Sequence, residues 1–251
     1  MKLSISAIIL TLLISLSALA QKQQTDREAD GLKGAVKTVV TEEAKLGDDT
    51  GRLVEYERKP ESEVAYDADG NHVSRKAYDY TGALFELVSY RRVKGDKVAI
   101  YGDVENKNGI VEMSVPANQP KRRSDSQYTY KFKYKYDKDG NVSEEAWYRN
   151  DGSLWLKYVY KVKGTRKEEL VYSEDGSLNQ KYAYNLNDKG DKVEMLVYDT
   201  EKNSVGSKET YKYVEFDSKG NWTKRITSEG EKESNFSLRP LKVTYRTISY
   251  F

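Results

Sequence analysis

The stretch Tyr136-Asp137-Lys138-Asp139-Gly140-Asn141-Val142 shows the pattern that decides the fold. Asp and Asn side chains close tight turns by hydrogen bonding to nearby backbone groups, and glycine accepts the positive φ that such a turn requires at its exit. The same tyrosine returns twelve residues on, with a glycine four positions later, which leaves about eight residues for a strand of normal length. Each unit therefore predicts one turn and one β-strand.

The twelve-residue period occupies two parts of the chain. Tyrosines mark it at Tyr66, Tyr78 and Tyr90, and again at Tyr136, Tyr148, Tyr160, Tyr172 and Tyr184. Strands that reverse at every turn predict an all-β fold, an antiparallel meander of repeated β-hairpins in an extended or curved sheet. We expect a single β-repeat domain at 21–251, with a first array at 63–104, an irregular loop at 105–127, and a second array with a closing strand at 128–251.

Strand alternation predicts that the sheet has one tyrosine-rich face. Because twelve is even and side chains alternate with a period of two, equivalent positions of every unit are expected on the same face. The even-numbered positions that would form this face are Val142, Ala146, Tyr148, Leu154, Leu156, Tyr158, Tyr160, Leu170, Tyr172, Leu178, Tyr182 and Tyr184. Trp147, Trp155 and Val159 would lie opposite, together with charged residues such as Glu145, Lys167 and Glu169.

Two further strands flank the arrays. Residues 34–41 are rich in β-branched side chains and predict an opening strand, and residues 241–250 predict a closing strand. We expect each of them to cover one exposed edge of the sheet.

Residues 1–20 have the features of a signal peptide. Lys2 precedes an apolar stretch at 5–19, and Ala18-Leu19-Ala20 provides the small residues that signal peptidase requires. The alternative, a membrane anchor, needs roughly 20 apolar residues. We therefore predict cleavage before Gln21 and export to the periplasm, the cell surface or the medium, with membrane contact only through the signal peptide. Since the chain has no cysteine, lipid attachment at the cleavage point and disulfide bonds are both excluded.

The mature chain is nearly neutral. Removing Lys2 from the 42 lysines and arginines leaves 41 basic residues against 40 acidic ones, with both signs interspersed. Nucleic acids bind clustered basic surfaces, so no nucleic acid is expected as a partner. The densest basic run, Lys121-Arg122-Arg123, is interpreted as a solvated loop.

No set of residues indicates catalysis, a metal or a cofactor. The Asp-rich turns at 67–70 and 137–140 match part of a calcium loop, but Ala65 and Lys135 stand where such a loop needs an earlier acid. Turn chemistry accounts for both turns. His72 is the only histidine, and because it directly follows a turn we expect it to be exposed. One histidine and no cysteine cannot build the usual nitrogen and sulfur metal sites within one chain.

Aromatic residues are the most suggestive feature for binding. Flat aromatic rings stack on the apolar faces of sugars, which makes carbohydrate a candidate ligand. The candidate ligand-facing residues are Trp147, Trp155, Tyr158, Tyr160, Tyr182 and Trp222. The alternative interpretation is that these rings form the thin core of the sheet itself.

The copies that begin at Tyr66, Tyr78 and Tyr136 resemble the YD repeats of bacterial RHS-type proteins. The double unit of 24 residues is also similar to the hairpin arrays of MORN-type repeats. The order of parts, from 31–36 to 220–225, resembles small exported bacterial proteins of undefined function. These resemblances imply a β-repeat fold, and the family names suggest sugar binding.

Three functions are consistent with the sequence. The first is a non-catalytic exported module that binds or scaffolds at the cell envelope, with a carbohydrate or an envelope protein as partner. The second is a small outer-membrane β-barrel, although the polar alternation near the last residues is unfavourable for lipid contact. The third is a glycoside hydrolase that uses two carboxylates.

Overall fold

The computed structural model describes residues 23–93, 96–102, 105–106, 109–110, 128–232 and 235–251. The predicted signal peptide and residues 111–127 of the predicted loop lie outside the described residues. One short helix, α1 (Asp26–Ala29), precedes the strands. The strands are β1 (Val36–Asp49), β2 (Arg52–Glu55), β3 (Lys59–Tyr66), β4 (His72–Tyr78), β5 (Leu84–Val93), β6 (Asp96–Gly102), β7 (Glu105–Asn106), β8 (Gly109–Ile110), β9 (Tyr128–Tyr136), β10 (Val142–Tyr148), β11 (Leu154–Lys163), β12 (Arg166–Tyr172), β13 (Leu178–Leu186), β14 (Lys192–Asp199), β15 (Ser204–Phe216), β16 (Trp222–Glu231) and β17 (Arg239–Tyr250).

Fourteen strands form one closed barrel. The main sheet has fifteen strands, of which β2 pairs only with the far part of β1, while β7 and β8 form a separate pair. Each remaining strand is antiparallel to its neighbour, and β17 returns to pair with β1. This closing seam runs from Val36 opposite Tyr250 to Lys45 opposite Lys242.

The predicted antiparallel meander is confirmed, but the predicted extended or curved sheet is wrong. The opening and closing strands do not cover two separate edges; they pair with each other and remove both edges. Closure also overturns the resemblance to YD, RHS-type and MORN-type repeats. A short turn motif specifies each hairpin, whereas the accumulated twist and register of all the strands decide whether the sheet closes.

The turns have the chemistry that the sequence predicts. In the turn after β9, the Asp137 amide donates to the Asn141 carbonyl at 2.9 Å, and the Asn141 amide donates to Asp137 Oδ1 at 2.9 Å. Gly140 adopts a φ of 83°, which favours glycine. Two backbone hydrogen bonds recur in the described turns: the amide of the first residue donates to the carbonyl of the fifth, and the glycine amide donates to the carbonyl of the first. These turns begin at Asp67, Asp79, Asp137, Arg149, Ser173, Asn187 and Asp217.

Residues 24–34, the N-terminal plug, cross one end of the barrel. The Gln24 amide donates to the Gly140 carbonyl at 3.0 Å, and the Arg27 amide donates to the Gly70 carbonyl at 2.9 Å. The Lys33 amide donates to Asn221 Oδ1 at 2.7 Å. The three acceptors belong to turns of three different hairpins spread around the ring, so the plug spans the opening rather than following one side of it.

Contacts of the plug identify the inner face of the wall. Leu32 is buried against Val39 and Tyr66, and Val39 pairs with Val64 on one side and Ile248 on the other. Because directly paired residues share a face, the register carries this inner face around the whole ring. We call the enclosed space the lumen, and the end covered by the plug the plug end.

The predicted single parity of the tyrosine face is wrong. At most hairpins, directly paired residues have one odd and one even number, so the inner face changes parity from strand to strand. Inward-facing Tyr160 and Tyr184 are therefore separated by outward-facing Tyr172, twelve residues from each. Beside the turn at 149–153, a bulge inserts Trp155 into the register. The period of twelve is present, but the prediction of a single face took no account of the bulges and the two-residue turns, which change the parity of the inner face.

Candidate functional site

The inner wall is rich in aromatic side chains. Trp147 is central on one side, with its ring 4.7 Å from Phe132 and 5.8 Å from Tyr158. Trp155 stacks on Tyr130 at 4.5 Å. The aromatic residues that the register and these contacts place inside are Tyr66, Tyr90, Tyr101, Tyr130, Phe132, Tyr134, Trp147, Trp155, Tyr158, Tyr160, Tyr182, Tyr184, Tyr211, Tyr213 and Trp222.

Five of the six candidate ligand-facing aromatics come together on one side of the lumen. These are Trp147, Trp155, Tyr158, Tyr160 and Tyr182, on three nearby strands. Trp222 lies apart from them on β16, against Tyr213 at 5.7 Å. The sequence placed Trp147 and Trp155 on the face opposite Tyr158, whereas the change of parity at the hairpin brings all three together.

A concavity of about 560 Å³ lies beside this aromatic group, in the half of the lumen away from the plug. Three of the residues that line it have apolar side chains: Leu156, Val171 and Met195. The remaining lining residues are polar or aromatic: Tyr158, Glu169, Asn179, Gln180, Tyr182 and Tyr184. Its size falls within the roughly 300–1,000 Å³ of small-molecule sites, and its mixture of apolar surface with a few polar groups is typical of them.

Two carboxylates of the inner wall are engaged by aromatic groups. The Trp147 indole donates to Glu145 Oε1 at 2.6 Å, and the Tyr184 hydroxyl donates to Glu169 Oε2 at 3.3 Å. Burial raises the pKa of Glu145, and burial followed by the charge of Glu169 raises the pKa of Tyr184. The Tyr184 hydroxyl therefore stays a neutral donor in the lumen.

A polar network joins the plug to the wall. Asp30 Oδ2 accepts from the Tyr66 hydroxyl at 2.6 Å and lies 2.8 Å from His72 Nε2. Lys97 Nζ donates to Asp26 Oδ1 at 2.8 Å. Burial would raise the pKa of Asp30, but the hydrogen bond and charge of His72, with the Tyr66 hydroxyl, hold it below its usual value.

The prediction that His72 is an exposed turn residue is wrong. Its side chain is 20 % exposed, and its ring lies 5.2 Å from both Tyr66 and Tyr90. The turn before it is indeed at the surface of the wall, but the plug folds over the position from a part of the chain more than forty residues earlier. Among the described residues, no group of three or more side chains is arranged to hold a metal ion.

Several inward-facing cations were missed by the sequence reasoning, among them Lys167, Lys192, Arg225 and Arg246. Single parity placed Lys167 on the solvated face, and Arg225 and Arg246 belonged to no motif. Their contacts with tyrosine or tryptophan would not have identified them, because outward-facing lysines such as Lys157 also lie over tyrosines. In the part of the chain that the structure describes, no helix is long and apolar enough to cross a membrane.

Comparison with known proteins finds only solved structures of low similarity. Neither a family model nor a curated protein matches this chain. A porin-like protein from Bacteroides uniformis has 9 % identity and a TM-score of 0.48, over 86 % of this chain and 99 % of that one. A LolA superfamily protein from Nitrosomonas europaea has 10 % identity and a TM-score of 0.36, over 90 % and 91 %. A DUF1329 family protein from Desulfovibrio piger has 8 % identity and a TM-score of 0.28, over 86 % of each chain.

The closed ring of this chain is inconsistent with the resemblance drawn from its turns. The three solved structures have TM-scores below 0.5 and identities of 10 % or less, so they assign neither a family nor a role to this chain.

Proposed function

We propose that this chain is a non-catalytic, exported binding protein that holds a small amphipathic molecule inside its barrel. The observation that carries the proposal is the ligand-sized concavity on the aromatic inner wall. Aliphatic Leu156, Val171 and Met195 favour a ligand with an apolar portion over the predicted carbohydrate. The tyrosine rings beside them stack on each other, as Tyr158 and Tyr160 do at 6.4 Å.

The outer wall supports a barrel surrounded by water. Outward positions carry charges along most strands, and several form cross-strand ion pairs, such as Lys76 with Glu63 at 3.0 Å and Lys135 with Glu144 at 2.9 Å. A lysine or arginine facing lipid costs about 2–4 kcal/mol near the bilayer midplane. This pattern is unfavourable for the alternative of an outer-membrane barrel, and it favours a location in the periplasm, on the cell surface or in the medium.

The lumen carboxylates support a binding role over hydrolysis. Glu145 and Glu169 are the acids nearest the aromatic group, and each accepts a hydrogen bond from a wall residue. Carboxylates held in this way stabilise the wall, whereas a glycoside hydrolase needs one free acid and one free base at the scissile bond.

The test is binding of an uncharged hydrophobic probe, N-phenyl-1-naphthylamine, to residues 21–251, followed by its displacement with decanol. Met195→Trp fills the concavity and should weaken the binding of the probe and the binding of decanol by about tenfold or more. Leu196→Trp is the matched control, because Leu196 is adjacent in sequence but faces outward, opposite Lys208. This variant should leave both affinities within about twofold of the wild-type values. Absence of probe binding, or equal effects of the two variants, would refute the proposal.

A further inference from the structure

Four of the inward-facing cations, Lys167, Lys192, Arg225 and Arg246, form one group, the cationic cluster. Lys167 pairs with Tyr184, and Lys192 Nζ lies 3.9 Å from the centroid of the same Tyr184 ring. The Tyr213 hydroxyl donates to the Lys192 carbonyl at 2.6 Å, and Tyr213 pairs with Arg225.

Arg246 completes the cluster. Its guanidinium lies 3.6 Å from the centroid of the Trp222 ring, and the guanidinium of Arg225 lies 4.7 Å from the same centroid. Arg246 is two residues beyond Thr244, the direct partner of Arg225. One indole therefore supports two positive charges on adjacent strands.

Aromatic rings, rather than carboxylates, are the partners of these cations. Lys167 Nζ lies 4.5 Å from the Tyr160 centroid, in addition to the contacts above. Over the described ranges, no ion pair within 4.0 Å joins any member of the cluster to a carboxylate. Arg225 Nε and Arg246 Nε are both buried without a hydrogen-bond acceptor. Unpaired buried donors of charged groups are costly, so an acceptor at this place would be favourable.

Glu61 lies close enough to interact with the charges of Arg225 and Arg246, but burial, followed by the charge of Glu43, raises its pKa. Two other nearby acids are already engaged. Asp30 of the plug is bonded to Tyr66 and His72, and Glu169 accepts from Tyr184. Burial, followed by the charge of Arg225, lowers the pKa of Arg246 to about 10. Lys192 is exposed to the lumen, yet enclosure by the wall, followed by the charge of Lys167, lowers its pKa as well. In each case burial is the larger cause and the neighbouring cation adds to it, while the charge of Asp30 acts in the opposite direction.

We propose that the cationic cluster binds the anionic group, a carboxylate or a phosphate, of the amphipathic ligand whose apolar portion occupies the concavity. The two sites are continuous, because Tyr184 lines the concavity and lies beneath Lys192. Arginine and lysine form short, charge-assisted hydrogen bonds with such oxyanions. This inference rests on the proposed function and adds the charge of the ligand to it.

The experiment compares three probes of one chain length on residues 21–251: decanoate, decyl phosphate and decanol, with inorganic phosphate as a fourth. Calorimetric titration should show the two anions binding about tenfold or more tightly than decanol, since a charge-assisted hydrogen bond contributes about 1.5–3 kcal/mol. Inorganic phosphate should bind far more weakly than decyl phosphate, because it lacks the apolar chain.

Variants locate the effect in the cluster. Lys192→Gln and Arg225→Gln should each reduce the affinity for decanoate by about tenfold and leave the affinity for decanol unchanged. Lys157→Gln is the matched control, because Lys157 also covers a tyrosine, Tyr172, at 4.9 Å, but on the outer wall. It should change neither affinity. Lys192 is exposed to the lumen, so its variant is expected to fold even if an arginine variant does not.

Each failure has its own signature. Equal affinities for decanoate and decanol, with both lost in Met195→Trp, would overturn the anion site and leave the proposed function standing. Binding of inorganic phosphate as tight as decyl phosphate would overturn the amphipathic ligand, and with it the proposed function. A loss of decanoate binding in Lys157→Gln equal to that in Lys192→Gln would refute the assignment to the cluster.

Discussion

Replacement of Asp30 by alanine should release the N-terminal plug. The carboxylate accepts from the Tyr66 hydroxyl at 2.6 Å and contacts His72 at 2.8 Å. Tyr66 is 4 % exposed, so its hydroxyl would lose its acceptor in a place that water does not easily reach. An unmade buried hydrogen bond costs about 1–3 kcal/mol, and a partly exposed ion pair contributes up to about 1 kcal/mol. We expect a total loss of roughly 2–3 kcal/mol.

Two measurements separate local from global release. Tryptic cleavage after Arg27 should become about 30- to 150-fold faster if the plug opens at equilibrium, since each 1.4 kcal/mol corresponds to a factor of ten. If the plug instead unfolds with the barrel, the Tm measured by circular dichroism should fall by about 4–12 °C. Asp175→Ala is the control, because it removes a turn hydrogen bond to Ser177 at the other end of the barrel. Cleavage and Tm both unchanged in Asp30→Ala, or cleavage equally fast in the control, would refute the role given to Asp30.

The fold makes three further predictions. Because the folded pKa of Asp30 lies below its usual 3.8, its stabilising effect is present above pH 3.8 and disappears as the pH falls through the folded value; hydrogen exchange of the Arg27 amide should accelerate over that range, and Asp30→Ala should abolish the dependence. In this cysteine-free chain, Val40→Cys and Thr247→Cys stand opposite each other across the closing seam and should form a disulfide on mild oxidation; free thiols in the folded protein would contradict a closed ring. Gly152→Ala should lower the Tm by about 2–8 °C, since φ is 86° and no atom obstructs the new methyl group, with Gly152→Asn losing less; a Tm equal to wild type would exclude a positive φ there.

Local structure could be predicted because local residues determine it. The turn at 137–141 is held by its own Asp and Asn, and its glycine takes the positive φ that the pattern indicates. The same holds for the strand lengths and for the antiparallel order, which depend on the distance between turns. These features rest on contacts within a turn and between strands that follow each other directly in the sequence.

The faces of the strands could not be predicted from the period alone. Trp155 occupies a bulge that a twelve-residue count does not reveal, and the bulge changes the parity of the later residues on that strand. As a result Trp147 and Tyr158, predicted on opposite faces, line the same wall. The two-residue turn between Lys163 and Arg166 has the same effect on Lys167, which points into the lumen rather than into solvent. Five of the six candidate aromatics lie together on one side of the lumen, and Trp222 lies apart from them on β16.

Long-range partners were also beyond the sequence. His72 is covered by Asp30, which is 42 positions away, and nothing in the pattern around either residue indicates their contact. The cationic cluster draws on four strands, from β12 to β17, that only the register of the complete ring brings side by side. Such sites emerge from closure and cannot be read from one repeat.

The closing seam also sets the order of events in folding. The Lys242 ammonium and the Glu43 carboxylate, which meet across it at 2.6 Å, are 199 positions apart. A chain that emerges from a translocation pore with its N-terminal part first presents β1 long before β17 exists to pair with it. High contact order slows folding, and the unpaired edge of β1 stays available to other chains during the delay. For a chain exported as we propose, we therefore expect dependence on a holding chaperone until the last strand has arrived.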